Sequence, residues 1–197
     1  MAPSESDPKA QKILDAVRKV LAGNGYAGTT INLVAQEAGV SRGLLHYYFK
    51  NKDEMLARVL KANMEASIVF IEDIFQTSHS AREIADRTTA LLRGIMAEDS
   101  EFFCVFLEAF AAARQSAIIN EQLASLYGKF RLAILEQLKA ASREGRIAPA
   151  LPLPGLAAII TAIIDGVALQ LVTEPDLSQD DEIWQTMAAA VNDMLTG

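Results

Sequence analysis

The sequence has little cysteine or histidine: one cysteine, Cys104, and two histidines, His46 and His79, among 197 residues. A chain with one cysteine cannot form an internal disulfide. With so few cysteines and histidines it also lacks the clusters of these residues that hold a metal ion. The first twelve residues are polar and lack the apolar core of a secretory signal. The sequence therefore predicts a cytoplasmic protein with neither a metal nor a cofactor.

Long apolar runs are also missing. The most apolar stretch, residues 156–172, is about 17 residues long and includes Asp165 and Gln170, whereas a helix that spans a membrane needs roughly 20 apolar residues. We expect a buried helix in this stretch, and no membrane as a partner.

The motifs of the common enzyme classes are absent too. The chain has no G-x-S-x-G turn, no H-E-x-x-H site and no phosphate loop. The run GNGYAG, Gly23 to Gly28, matches the G-x-G-x-x-G fingerprint of dinucleotide-binding enzymes, but that fingerprint works only after a β-strand. The apolar residues before it recur instead at helical spacing, namely Ile13, Leu14, Val17, Val20 and Leu21. We interpret GNGYAG as a helix end with positive φ at Gly23 and Gly25, and expect no enzymatic activity.

Charge is distributed unevenly along a chain whose formal net charge is −7. Residues 1–61 carry nine Lys/Arg and six Asp/Glu, about +3, whereas the remainder carries nine and nineteen, about −10. Because phosphate binding depends on local cations, this pattern is consistent with a nucleic-acid surface confined to the N-terminal part. A chance fluctuation of charge over these residues is the alternative.

Two short helices separated by a glycine turn are predicted near the N-terminus. Thr30 is a candidate N-cap for a helix that stops at Gly39, and Ser41 is a candidate N-cap for the next helix, RGLLHYYFK. With the longer helix before them, they form a three-helix helix-turn-helix unit. At about 100° per residue, the third helix has an apolar half and a polar half, respectively Leu44, Leu45, Tyr48 and Phe49, and Arg42, Gly43, His46 and Tyr47.

The rest of the chain is also predicted to be helical. Asn51 and Glu54 stand at capping-box spacing before a helix at about 51–76. Further helices are predicted at about 81–97, 101–113, 116–143, 155–173 and 179–195, with a proline-rich linker, APALPLPG, at 148–155. No strand-like alternation is present. The fold class is therefore all-α, with an N-terminal three-helix helix-turn-helix domain at 8–54 and a C-terminal helical domain at 55–197.

The run TTINLVAQEAGVSRGLLHYYFKNKDEML resembles the DNA-binding domain of the tetracycline-repressor (TetR) family, and the resemblance extends over residues 8–61. Its matching parts are the paired threonines, V-A-x-x-A-G-V, S-x-G, the closing aromatics and N-K-D-E-M-L. The resemblance implies that Arg42 and Gly43 approach base edges. It also implies that His46 and Tyr47 contact bases or sugars.

Phosphate contacts are implied by the same resemblance for Thr30, Tyr48 and Lys52. Two positions depart from the family pattern. The usual tyrosine of T-L-Y is His46 here, which changes the expected base preference. The usual small hydroxyl residue before it is Leu44, which removes a phosphate hydrogen bond.

Phenylalanines recur at i, i+4 and i+8 from Phe102 on the predicted helix 101–113. Such a stripe is either plain core or, as the resemblance implies, the lining of a cavity for an effector. Two acidic residues in apolar surroundings either orient a cationic or hydroxylated ligand or are satisfied carboxylates. The candidate ligand contacts are Phe103, Phe106, Glu108, Phe110 and Asp165. We expect an apolar or amphipathic effector.

The last two predicted helices favour a homodimer. Residues 157–172 are apolar almost all round, so this helix must be covered on every side. The final helix has one apolar stripe, formed by Trp184, Met187, Ala188, Val191 and Leu195. Because one chain supplies few covering helices, we expect helices 155–173 and 179–195 of two chains to form a four-helix interface, as the resemblance also implies.

These observations predict a ligand-responsive, DNA-binding transcriptional regulator. In this interpretation it is a repressor that a small-molecule effector releases from a palindromic operator in double-stranded DNA. A dimer would place two recognition helices in successive major grooves, about 34 Å apart. The alternative is a helical ligand carrier or interaction module that does not read DNA, and salt-sensitive retention on nucleic acid distinguishes the two.

Overall fold

The computed structural model of the protein describes residues 8–99 and 101–197. The described residues form helices with short connections and contain no β-strand. In chain order the elements are α1 (Pro8–Gly28), α2 (Ile31–Ala38), α3 (Arg42–Tyr48), α4 (Lys52–Thr77), α5 (Ala81–Glu98), α6 (Glu101–Ala113), α7 (Ala117–Arg143), α8 (Leu153–Thr173), a 3₁₀ helix (Pro175–Gln179) and α9 (Asp181–Thr196). The predicted all-α fold class is confirmed. Residues 1–7, on which the expected absence of a signal sequence partly rests, lie outside the described residues.

The helix α1 is interrupted near its C-terminal end. At Gly25 the backbone has φ 67° and ψ 170°, a conformation that favours glycine, and helical structure then continues to Gly28. The positive φ predicted for Gly25 is confirmed, but the one predicted for Gly23 is wrong, because Gly23 continues the helix. A helix rather than a strand precedes GNGYAG, so the fingerprint lacks the context it needs to bind a nucleotide.

The described residues group into two compact units. The first contains residues 8–63 and 101–126, so that α6 and the start of α7 belong with the three N-terminal helices. The second contains residues 64–99 and 127–197. The predicted domain boundary between residues 54 and 55 stays a prediction, because packing alone does not say where a DNA-binding domain ends.

Side chains from α1 to α4 form the core of the first unit. Ile13, Val34, Leu45 and Leu56 are completely buried, and burial of one such side chain contributes about 1.5–3 kcal/mol to folding. The same unit includes α6, which packs against α1. Because one face of α3 packs into this core, its opposite face must point away from the core.

In the second unit, α9 packs mainly against α5. The apolar stripe predicted on α9 is buried, and Trp184 is only 3% exposed. Arg93 of α5 lies 5.8 Å from the centroid of the Trp184 ring and pairs with Asp181 at 2.7 Å. The stripe is therefore covered largely by α5 of the same chain, and a dimer contact through α9 has to use its other face.

The apolar helix α8 is longer than the stretch that marked it in the sequence. It has 21 residues and begins at Leu153. The prolines there do not prevent this start, because Pro152 lies at the N-cap and Pro154 in the first turn, where proline is tolerated. By length and composition it is apolar enough to cross a membrane, with a mean hydropathy of 2.0, so the prediction that it is too short is wrong. One such helix is weak evidence for a membrane, since core helices of soluble proteins pass the same test.

Candidate DNA-binding surface

Two N-caps and a left-handed glycine determine the geometry between α2 and α3. The Thr30 hydroxyl accepts a hydrogen bond from the Leu33 amide at 3.2 Å, and the Ser41 hydroxyl accepts one from the Leu44 amide at 3.2 Å. Between them Gly39 ends α2 with φ 64° and ψ 38°, a conformation that a side chain would strain. The predicted caps and helix stop are confirmed, and together they set the angle at which α3 leaves the turn.

The two halves of α3 differ in exposure as predicted. On the inner half Leu45 is completely buried, and Phe49, which directly follows the helix, is 2% exposed. The outer half is solvent-exposed, and we call it the α3 polar face: Arg42, Gly43, His46 and Tyr47. It presents a guanidinium, a bare backbone, an imidazole and a phenol near the start of a helix, which are groups that can read base edges.

The three residues expected to contact phosphates lie in different surroundings. Thr30 is exposed at the start of α2, and Lys52 is half-buried at the start of α4. Tyr48, by contrast, is a core residue with 5% exposure, and its ring lies edge-on to Tyr47 at 5.6 Å. Its phosphate contact stays a prediction.

A polar cluster that sequence reasoning missed lies beside Lys52. The Tyr26 hydroxyl donates a hydrogen bond to the Asp53 carboxylate, which also accepts one from the Ser116 hydroxyl at 3.2 Å. The Tyr26 amide donates to the Glu108 carboxylate at 2.5 Å. Burial, assisted by the bond to Asp53, raises the pKa of Tyr26 to about 12, so its hydroxyl remains a donor at neutral pH. These partners are 27 to 82 residues apart in the chain, and no local pattern could have paired them.

The candidate ligand residues of α6 face different surroundings. Phe103 and Phe106 form an aromatic cluster with Phe102, with ring centroids 5.2 to 6.5 Å apart. Phe110 is 47% exposed, whereas Phe106 is buried. Glu108 binds the kinked end of α1 through its carboxylate. Their role in ligand binding stays a prediction.

The fifth candidate, Asp165, belongs to the second unit. It is half-buried on α8 and accepts a hydrogen bond from the hydroxyl of Tyr127 on α7. Burial raises the pKa of Asp165 to about 6, and the hydrogen bond from Tyr127 opposes this rise. Burial also raises the pKa of Tyr127. The Tyr127 hydroxyl therefore stays protonated at neutral pH and can donate its hydrogen bond to Asp165.

Comparison with protein families agrees with this geometry. Residues 13–59 match the model of bacterial regulatory proteins of the tetR family, and residues 85–196, more than half of the chain, match the C-terminal domain of BetI-type transcriptional repressors. The chain belongs to the tetR family of bacterial regulatory proteins. This tetR-family protein is a DNA-binding transcriptional regulator, and the family comprises transcriptional regulators rather than enzymes.

Several relatives of this tetR-family protein are known. It is 36% identical to the fatty acid metabolism regulator protein of Bacillus subtilis over 76 residues, 39% of each chain. It is 22% identical over 185 residues, 94% of each chain, to HdnoR, a nicotine-responsive transcriptional repressor of Paenarthrobacter nicotinovorans.

Solved structures share its fold. GusR of Salmonella enterica has a TM-score of 0.81 at 17% identity, with 98% of this chain and 97% of that chain covered. FadR of Bacillus subtilis in complex with stearoyl-CoA has a TM-score of 0.75 at 22% identity, with 95% and 98% covered. The tetR-family fold therefore extends over both units of the chain.

Proposed function

We propose that this protein is a homodimeric repressor that binds a palindromic operator through α3 and leaves it when a small-molecule effector binds. The observation that supports the proposal is the exposed α3 polar face on a helix held by its N-cap and its buried half. In this proposal Arg42 and Gly43 approach base edges, and His46 and Tyr47 contact bases or sugars. The protein would act in the cytoplasm, where its operator is.

Contacts with the DNA backbone are proposed for Thr30, Tyr48 and Lys52. Thr30 presents its hydroxyl and the first amides of α2, and Lys52 supplies a charge. Each phosphate that a lysine or arginine neutralises releases counterions, so operator affinity should fall steeply with salt concentration.

A second copy of the chain is proposed to cover an apolar stripe of α8. Ile159, Ala162, Gly166 and Leu169 follow one another at i, i+3, i+7 and i+10, and the two large residues at its ends are 51% and 47% exposed. This spacing is typical of helices that pack in pairs, and the small residues allow close approach. We propose that α8 and the exposed face of α9 from two chains form a four-helix interface.

The effector is proposed to be an apolar or amphipathic small molecule. In the first unit Phe103, Phe106 and Phe110 offer aromatic surface, with Glu108 on the same helix. In the second unit Asp165 offers an acceptor for a cationic or hydroxylated group. FadR of Bacillus subtilis holds stearoyl-CoA and HdnoR responds to nicotine, so these two compounds are the first probes. A bound effector should stabilise the fold, by about 2.7 kcal/mol at a hundred times its Kd.

Release from DNA needs the effector to bind the DNA-incompetent conformation more tightly. In the proposed mechanism α4 moves the N-terminal helices away from the spacing of successive major grooves. A coupling free energy of about 1–3 kcal/mol would weaken operator binding roughly 5- to 150-fold.

Selection from a pool of random duplexes tests the proposal without a known operator. We expect the protein to enrich an inverted repeat whose half-sites are about one helical turn, roughly 10 base pairs, apart. Light scattering on the same sample should give the mass of a dimer. A failure to enrich any sequence, with retention on nucleic acid that salt does not change, would favour the ligand carrier or interaction module.

A further inference from the structure

The proposed phosphate contact Lys52 is held by a neighbouring aromatic ring. Its ammonium nitrogen lies 4.1 Å from the centroid of the Tyr26 ring, within the range of a cation–π interaction. Tyr26 directly follows the kink of α1 at Gly25. The position of the Lys52 charge therefore depends on where the Tyr26 ring is held.

Tyr26 is held by two hydrogen bonds that it donates to residues of two different helices. Its amide donates to Glu108 on α6, and its hydroxyl donates to Asp53 in the first turn of α4. Asp53 also accepts a hydrogen bond from Ser116, the residue before α7. All of these residues belong to the first unit. A displacement of α6 would thus act on Tyr26 directly.

The kink at Gly25 is shaped to receive the Glu108 carboxylate. The helical turn after Gly25 is a new helix start, whose first amides have no partner within the helix. The Glu108 carboxylate accepts a hydrogen bond from the Tyr26 amide, one of these amides. A Cβ atom at Gly25 would lie 3.2 and 3.3 Å from the two Glu108 oxygens, and the φ of +67° strains any side chain there. The backbone conformation therefore favours glycine at position 25, and a side chain there would also crowd the Glu108 carboxylate.

We propose that Glu108 and Tyr26 are positioning residues for DNA binding, and that α6 acts through them to hold Lys52 against a phosphate. Movement of α6 away from α1 would release the Tyr26 ring and with it the Lys52 charge. The inference rests on the proposed function, because it requires Lys52 to bind DNA. The competing explanation is that Glu108 only stabilises the α1 kink.

The dependence of DNA binding on salt separates these explanations. The affinity of the full-length protein for its selected duplex is measured at several salt concentrations. Lys52→Ala removes one phosphate contact per subunit, so the slope of log affinity against log salt should become shallower by about 0.9 per contact, about 1.8 for a dimer. Glu108→Ala should shift the slope in the same direction and lower the affinity at low salt roughly two- to fivefold.

Two variants serve as matched controls. Glu108→Gln keeps an oxygen that accepts the Tyr26 amide and should keep the wild-type slope. Glu121→Ala removes the same charge from an exposed position on α7 of the same unit and should also keep it. In the double variant with Lys52→Ala, Glu108→Ala should change the slope no further.

The inference is overturned if Glu108→Ala lowers the affinity equally with and without Lys52 and leaves the slope unchanged. If Glu108→Ala does not fold, Tyr26→Leu and Tyr26→Phe replace it. Phenylalanine keeps a ring and the amide bond to Glu108 and loses only the hydroxyl bond to Asp53, whereas leucine removes the ring, so equal slopes for these two variants overturn the inference as well. If the wild-type protein enriches no duplex, the proposed function fails first and the inference fails with it.

Discussion

Replacing Asp165 with asparagine should stabilise the protein at neutral pH and remove part of the pH dependence of its stability. Asp165 is half-buried on the apolar helix α8 and accepts a hydrogen bond from the Tyr127 hydroxyl. Asparagine keeps an oxygen that can accept this bond but cannot ionise. The substitution therefore isolates the free energy of holding a charged carboxylate in a partly buried place.

The sign and size follow from the pKa of Asp165, which rises from 3.8 to about 6 on folding. The folded state binds the proton more tightly than the unfolded state. The stability due to this proton is fully present below a pH of about 3.8 and is lost as the pH rises through about 6. The difference between these two pKa values corresponds to at most about 3 kcal/mol in the free energy of unfolding. Because Asp165 remains partly exposed, solvent screening reduces the expected effect to about 1–2 kcal/mol.

Urea denaturation measures this effect at a series of pH values from about 4 to 8. The free energy of unfolding of the wild-type protein should fall relative to that of Asp165→Asn as the pH rises to about 6, and the difference should then stay constant. Asp86→Asn, which removes an exposed carboxylate on α5 of the same unit, serves as the control. A difference between wild type and Asp165→Asn that is the same at every pH would refute the reasoning.

Three further predictions test the packing and the dimer interface. Leu45→Ala should lower the free energy of unfolding by about 2–5 kcal/mol in urea denaturation, because Leu45 is completely buried; a loss below 1 kcal/mol would contradict this. Gly25→Ala should lower the melting temperature through strain at its positive φ, and an unchanged value would argue against the kink. Ile159→Glu combined with Leu169→Glu should give monomers by light scattering, whereas Leu132→Glu, at a 56% exposed site on α7, should stay dimeric; a double variant that remains dimeric would exclude α8 from the interface.

Features that depend on a few neighbouring residues could be predicted from the sequence. The N-caps at Thr30 and Ser41 and the stop at Gly39 form bonds within a few residues, so their chemistry is visible locally. The division of α3 into a buried and an exposed half follows from the helical period and was predicted correctly. The helical period, together with capping and proline signals, also predicts the bounds of the later helices to within a few residues.

Features that depend on distant partners could not be predicted. Periodicity shows that one face of α9 is buried, but it does not show that α5 covers this face. The apolar surroundings of Glu108 in the sequence predict a special role for it, but they do not identify its partner Tyr26, which is 82 residues away. Asp165 likewise depends on Tyr127, a residue of another helix. Such pairs depend on how the helices pack against one another, and local patterns in a single sequence do not show which helices are in contact.

The most direct test of the account is the affinity of Arg42→Ala for the duplex that the wild-type protein selects. Arg82→Ala, which removes an exposed arginine from α5, is the matched control. Because a specific base contact contributes about 1–3 kcal/mol, Arg42→Ala should weaken binding at least about fivefold while light scattering still shows a dimer. Arg82→Ala should bind as the wild type does. Equal affinities for all three proteins would contradict the claim that the α3 polar face reads DNA.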